Sequence, residues 1–489
     1  MYTPTSAVGV KACMVSSRVS RATASTRLSP GSRCPAGLFS RSPSAVCSST
    51  SRNRPSRLMT AATVTLGFHR MFMAHHYGWQ GLPHGPPDGF QVSSPRLSFN
   101  PLGEETSMLI GVPAETTVGE TRVAVTPETA KKYVAQGHTV RVQSGAGLAA
   151  SVTDAAYAAV GAEITDAAGA LGADLVLKVR SPFDNELALM KPGTTLVGML
   201  NPFDAAGLQR LAAAGLTAFA LEAAPRTTRA QSMDVLSSQA NIAGYKAVMV
   251  AAHHYQRFFP MLMTAAGTVK AARVVILGVG VAGLQAIATA KRLGAVIEAS
   301  DVRPSVKEQV ESLGGKFIDV PYETAEEKEA AEGVGGYARP MPPSWLERQK
   351  AEVAKRVAQA DVVISTALIP GRAAPVLVTE DMVKSMKPGS VIVDLAAGKG
   401  APNADGSVGG NCPLTEADKT VVKHGVTLVG ETNLAAMVGA DASALYARNV
   451  LDFLKLVLPK DATAVQVPMD DDIVAACLMT QGGQVKRAQ

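Results

Sequence analysis

Arg273-Val-Val-Ile-Leu277-Gly278-Val-Gly280-Val-Ala-Gly283-Leu284 decides the fold of this chain. A β-branched run reads as a buried strand. Three glycines spaced one, three and six follow it, and Leu284–Leu293 then reads as a helix. In that setting each glycine has a task. Gly278 makes the tight turn, Gly280 lets backbone approach a pyrophosphate, and Gly283 lets the helix pack closely on the strand. The helix start offers free N–H groups and the positive end of its dipole to phosphates. Gly278, Val279, Gly280, Val281, Ala282 and Gly283 are therefore the expected dinucleotide contacts. Asp301 ends the next strand, Val296–Ser300; an acid there accepts from ribose hydroxyls and repels a 2′-phosphate, favouring NAD over NADP. Arg303 could receive a phosphate, but the acid dominates. A plainer role for Asp301, capping the following helix, is compatible with this one.

On either side of this unit, short apolar runs alternate with amphipathic stretches. Upstream, strands are expected over Met108–Ala114, Thr139–Gln143, Asp174–Arg180, Thr194–Leu200 and Thr217–Leu221, with helices over Glu128–Gln136 and Ala205–Ala214. One long helix, Val235–Phe258, reads as a bridge toward the glycine motif. Downstream come a helix at Val306–Leu313, a strand at Lys316–Val320, a helix at Leu346–Ala360, a strand at Asp361–Ala367, a helix at Thr379–Met386, and strands at Val391–Ala396 and Val426–Glu431. Strands alternating with helices predict parallel sheets of βαβ units. The expected fold is α/β, with two Rossmann-like parallel-sheet domains and the nucleotide site in the cleft between them. The predicted division is residues 108–234 plus about 430–489, then 235–429, after a leader of 1–107. The Gly- and Pro-rich stretch Val320–Pro343 reads as a long connection, either a flap over the cofactor or a solvated insertion.

Charge is unevenly spread over the 489 residues. The net +6 comes from the first 107 residues, where 11 Lys/Arg face three acids; the remainder carries −2. The basic balance is thus no argument for nucleic acid. That leader is Arg- and Ser-rich with no acid before Asp88, as in organelle transit peptides. It is expected to be disordered. A mitochondrial address, at the inner membrane on the matrix side, is the first reading and a plastid the second; a plain extension is the alternative. Cys13, Cys34 and Cys47 lie in it, which leaves only Cys412 and Cys477 and no disulfide framework. No apolar run reaches the length of a membrane span. Adjacent His253 and His254 cannot share one metal, so no metal site is expected.

Two further stretches carry a family resemblance. Ile110-Gly-Val-Pro-Ala-Glu115 with Gly119-Glu-Thr-Arg122-Val-Ala-Val-Thr-Pro127 is similar to the opening of alanine dehydrogenases and of the NAD(H)-binding component of proton-translocating NAD(P) transhydrogenase. Arg226-Thr-Thr-Arg-Ala-Gln231-Ser-Met-Asp234, with Ser237 and Tyr245 behind it, resembles the transhydrogenase component, as do Ser365-Thr366-Ala367-Leu-Ile-Pro-Gly-Arg372 and Gly336-Tyr337-Ala-Arg-Pro-Met341. The resemblance implies that Arg226, Gln231 and Asp234 hold the nicotinamide for transfer. It implies that Ser237, Tyr245, Tyr337, Thr366 and Ala367 are further NAD(H) contacts, with Tyr337 on a mobile loop. It also implies a homodimer, NADP(H) on a partner component, and transmembrane components that couple hydride transfer to proton movement. The chain would be active only with those partners. Gly398–Ser407 departs from the family pattern as an insertion.

The absences discriminate between the two branches. Arg122 and Lys178 match the cations that clasp a carboxylate in alanine dehydrogenases. Those enzymes also need a histidine and an acid, matched here by Asn201 and Gly398. Oxidising an amine needs a proton shuttle; hydride passage between two nicotinamides needs only orientation. Transhydrogenase is the expected function, with an alanine-dehydrogenase-like oxidoreductase and a non-catalytic NAD-binding regulator as alternatives.

Overall fold

The computed structural model describes residues 107–332, 341–460 and 462–487. The expected leader, and Tyr337 with the loop around it, lie outside them. Two large sheets organise the rest. The first half contributes β1 (Leu109–Val112), β2 (Thr139–Gln143), β3 (Glu163–Thr165), β4 (Leu175–Arg180), β5 (Thr195–Met199) and β6 (Thr217–Ala220). A small hairpin follows, β7 (Leu262–Thr264) and β8 (Gly267–Val269). The second sheet is built from β9 (Arg273–Leu277), β10 (Val296–Ser300), β11 (Lys316–Phe317), β12 (Val362–Ser365), β13 (Val391–Asp394), β14 (Thr420–Lys423) and β15 (Val426–Val429). Two last strands, β16 (Leu478–Gln481) and β17 (Gln484–Val485), return to the first sheet.

The second sheet runs β11-β10-β9-β12-β13-β15-β14, parallel except for β14. Strand order reverses between β9 and β12, where open α/β sheets leave a crevice at their carboxyl ends. The glycine motif sits there. One face of this sheet packs Val274, Ile276, Ile364 and Val393 against Ala247, Val248 and Ala251 of the long helix Val235–His254, and against Ala286, Ile287 and Ala290 of the helix Val281–Arg292. The other face packs Val275, Val363 and Ile392 against Val353, Val357 and Met382.

The first sheet runs β17-β16-β6-β5-β4-β1-β2-β3. β1 to β6 are parallel, whereas β16 joins β6 antiparallel. The helix Gly439–Val457 covers one face: Tyr446, Val450, Phe453 and Val457 pack on Ile110, Val112, Val140 and Val197. Its Phe453 ring lies 5.4 Å from that of Phe219. The tail therefore belongs to the first sheet, through a helix as expected and through two strands that the sequence pattern did not reveal.

Three local outcomes differ from expectation. The long helix ends at His254, because Tyr255 turns to extended backbone ahead of Pro260. The stretch read as a loop, Val320–Pro343, contains a helix, Ala325–Glu332. It is held by Glu327, which accepts from Ser344 Oγ at 3.0 Å and Arg348 Nη2 at 2.7 Å, and Tyr322 stacks on Trp345 nearby. The insertion Gly398–Ser407 is a closed turn: Asn403 Nδ2 donates to Ser407 Oγ and to Pro413 O, and Asp405 accepts from the Ser407 amide.

Candidate functional site

The glycine motif adopts the geometry its spacing demands. Gly278 has φ of +90°, a left-handed conformation that favours glycine. A Cβ on Gly283 would stand 2.1 Å from the Gly278 carbonyl oxygen, so only glycine lets the Val281–Arg292 helix begin this close to β9. At Gly280 a Cβ would meet no protein atom within 4 Å; what it would obstruct is an incoming ligand. Val279 is buried, while Gly280 and the helix start at Val281 and Ala282 face outward.

Asp301 and Arg303 form one unit beside this turn. The Asp301 carboxylate accepts from the Val279 amide at 2.7 Å, from the Arg303 amide at 2.9 Å, and from Arg303 Nε and Nη2 at 2.9 and 3.0 Å. Arg303 Nη2 also donates to the Val279 carbonyl at 3.1 Å. The acid therefore fixes the glycine turn and orients the neighbouring guanidinium. Across the crevice, Thr366 Oγ1 donates to the Gly278 carbonyl at 2.8 Å, and the Ala367 amide donates to Asn411 Oδ1 at 3.0 Å. Asn411, fully buried, returns two bonds, to the Ala367 and Pro375 carbonyls. Sequence reasoning missed Asn411, which lies outside every motif it used.

The polar stretch after β6 leads into the long helix. Asp234 caps that helix, accepting from the Ser237 amide at 2.8 Å and from Ser237 Oγ at 2.6 Å. Arg226 and Gln231 lie on the exposed part of the loop; Gln231 opens a single turn ending at Met233, which is buried. Tyr245 is 40% exposed on the same helix. Next to it, a Cβ on Gly244 would stand 2.1 Å from the Ala282 carbonyl oxygen. The long helix thus ties the polar loop directly to the nucleotide turn. The two halves also meet at Phe203, after β5, whose ring would lie 2.5 Å from a Cβ on Gly371. Arg487 stacks over that ring at 4.6 Å.

The cations of the first half are already spent. Arg122, 3% exposed, is held by Glu120 through two 2.6 Å bonds and donates to Gln239 Oε1 at 2.8 Å. Burial raises the Glu120 pKa, but the Arg122 hydrogen bond and charge outweigh it and bring it down to about 2. Lys178, 1% exposed, bonds Glu186 Oε1 at 2.7 Å and faces Glu115 at 3.4 Å. Neither cation is left to receive a substrate carboxylate without breaking a buried pair.

Asn201 has left-handed backbone, φ +55°, and its amide donates to Glu222 Oε1 at 2.6 Å. Glu222 is the titratable group of this corner. Its Oε2 is buried with no hydrogen-bond partner, and burial pushes its pKa up to about 7 against the pull of backbone donors. Gly398 turns with φ of +71° and adds no side chain. Among the described residues no cluster of three or more His, Cys, Asp or Glu could hold a metal, and no helix is long and apolar enough to cross a membrane.

Comparison with known proteins places this geometry. Residues 111–243 match the family model described as alanine dehydrogenase/PNT, N-terminal domain, and residues 247–488 match its C-terminal domain. The first portion of the NAD(P) transhydrogenase alpha subunit of Rhodospirillum rubrum, a separate chain in that organism, is 50% identical over 386 residues, covering 77% of this chain and 97% of that protein. Alanine dehydrogenase of Bacillus subtilis is 31% identical over 386 residues, covering 77% and 92%. Among solved structures, the transhydrogenase of Sinorhizobium meliloti aligns with a TM-score of 0.69 at 45% identity, covering 77% of this chain and 99% of that one. An L-alanine dehydrogenase aligns with a TM-score of 0.63 at 27% identity, covering 77% and 96%.

Proposed function

The chain belongs to the alanine dehydrogenase/PNT family, and from that premise we propose that it is the NAD(H)-binding component of a proton-translocating NAD(P) transhydrogenase. Its closer kinship runs to transhydrogenase alpha subunits, at 40–50% identity, with alanine dehydrogenases further away. Bound NAD(H) supplies the hydride carrier; the chain holds it and faces it toward NADP(H) on a partner component. Transmembrane partners couple the transfer to proton movement.

One observation carries this reading over amino-acid oxidation: both cations that would clasp a carboxylate are consumed by buried acids, and Asn201 stands where a proton shuttle would be required. Breaking either buried pair for a substrate costs more than an exposed contact returns. Direct hydride passage asks only for position, which a loop and a long helix provide.

In this reading Gln231 exchanges hydrogen bonds with the nicotinamide carboxamide, Arg226 and Asp234 frame it, and Ser237, Tyr245, Thr366, Ala367 and Tyr337 complete the NAD(H) contacts. Asp301 takes the ribose side, with Arg303 oriented beside it. The two domains divide at 234/235 and near 429/430. A homodimer is supported by the exposed hairpin β7–β8 and its approach, where Phe258 is 55%, Met261 61% and Met263 73% exposed. The Arg- and Ser-rich leader supports import into an organelle, read here as the mitochondrion.

The test is to mix the purified chain with an NADPH-loaded partner component and follow reduction of the 3-acetylpyridine analogue of NAD. Transfer that depends on both proteins is expected. Alanine-dependent NADH formation by the chain alone would replace the proposal with the dehydrogenase. Binding of NADH without transfer would leave a regulator.

A further inference from the structure

The loop that presents Gln231 is exposed, yet it is fastened at its middle by a segment more than two hundred residues away in sequence. Arg229 Nη1 donates to Asp471 Oδ2 at 2.6 Å and its Nη2 to Asp471 Oδ1 at 2.8 Å, with a third bond from Nη2 to Asp472. A planar guanidinium gripping a carboxylate through two parallel bonds fixes direction as well as distance. Asp471 has a second duty. Its Oδ1 accepts from the Ile473 and Val474 amides and so caps the short helix Asp472–Cys477. That helix runs straight into β16, which pairs with β6, the strand that leads into the loop.

The frame is therefore a closed circuit: β6, loop, Arg229, Asp471, helix, β16 and β6 again. Two further anchors hold the loop's far end. Asn449 Nδ2 donates to the Ser232 carbonyl at 2.6 Å, and Met233 is buried in the first core. Arg229, first among its neighbours, holds the Asp471 carboxyl down at about 2, so the pair stays charged throughout the neutral range. Single exposed ion pairs add little to stability. A three-bonded clamp on a transfer loop matters through where it puts Gln231.

We propose that Arg229, gripped by Asp471 and Asp472, is the positioning residue that sets the Arg226–Gln231 loop for hydride transfer, so that the C-terminal segment fixes the geometry of the transfer site. The proposal rests on the transhydrogenase reading above.

The test uses the full chain as Arg229→Gln, as Asp471→Asn, which keeps a capping side chain, and as the double variant. Each is mixed with the NADPH-loaded partner component and the acetylpyridine analogue. Misplacing the loop is expected to lower the single-turnover rate about tenfold, with the Kd for NADH within about twofold of the parent and an unchanged Tm. The double variant is expected to be no slower than either single one, because both remove the same clamp. A parental rate in both single variants overturns the proposal. So does a fall in rate matched by equal losses of NADH affinity and Tm, which marks a merely structural contact. Hydrogen exchange of the amides from 226 to 233 separates this claim from the functional reading. If the parent chain transfers no hydride, the reading fails, while faster exchange in Arg229→Gln still supports the clamp and unchanged exchange overturns it.

Discussion

Glu222 shows at the scale of one residue how the first half differs from a proton-handling active site. An acid whose folded pKa is raised keeps its proton in the folded chain after the unfolded chain has released it. Between its ordinary 4.5 and about 7, stability therefore falls as pH rises, and the full penalty remains above that window. Replacing Glu222 with Gln removes this dependence: the Tm of the variant relative to the parent is expected to rise between pH 5 and pH 8, and scanning calorimetry at the two values checks it. Glu120 acts with the opposite sign, stabilising above about 4.5 and losing that contribution as pH falls toward about 2. At the nucleotide turn, Asp301→Ala removes the acceptor for the Val279 amide and releases Arg303. Weaker NADH binding is expected in a fluorescence titration; unaltered affinity would take Asp301 away from the ribose. Gln231→Ala is expected to slow transfer with nearly unchanged NADH affinity, as stopped-flow and equilibrium titration together would read. The glycines and Asp301 were legible in the sequence because their spacing is imposed by the turn itself. Asn411 and Arg229 were not, because each works through partners dozens to hundreds of residues away.

Among elements, the crossing of the long helix on the nucleotide helix is the contact that transmits position. Gly244 makes it possible, since any side chain there meets the Ala282 backbone. Gly244→Ala is expected to cost about 1–3 kcal/mol, the range for overpacking a close contact. Because Ala282 belongs to the glycine turn, NADH affinity is expected to fall with Tm. A variant with normal Tm and affinity would show that the helices move apart freely. Most strands could be read as elements because β-branched runs such as Arg273–Leu277 and Val391–Asp394 are long and flanked by turn residues. β3 spans only three residues, and β14 is a half-exposed edge. β16 follows a helix without a break and offers no turn signal of its own. In Ala325–Glu332 the strong helix propensity of Ala, Glu and Lys was outweighed in the reading by the Gly and Pro on its C-terminal side.

For the whole molecule, the hairpin β7–β8 is the feature that a lone chain leaves unexplained. Its strands are exposed throughout, and its methionines face outward from a fold that elsewhere buries its apolar residues. Met263→Asp is expected to turn a dimer into a monomer in light scattering while NADH affinity stays at the parental value. A parental mass for the variant would assign the hairpin to another partner. Nothing in the sequence pattern pointed to this hairpin, since two three-residue strands sit below the length at which alternation can be recognised.

The antiparallel pairing of β16 with β6 also constrains how the protein is made. The strand that finishes the first sheet leaves the ribosome last, after the whole nucleotide-binding half has been translated. Until then β6 carries an open edge, the kind of edge that recruits wrong partners. A stop codon ahead of Leu478 would therefore yield a nascent chain with an intact glycine motif and an unfinished neighbour, a natural client for chaperones.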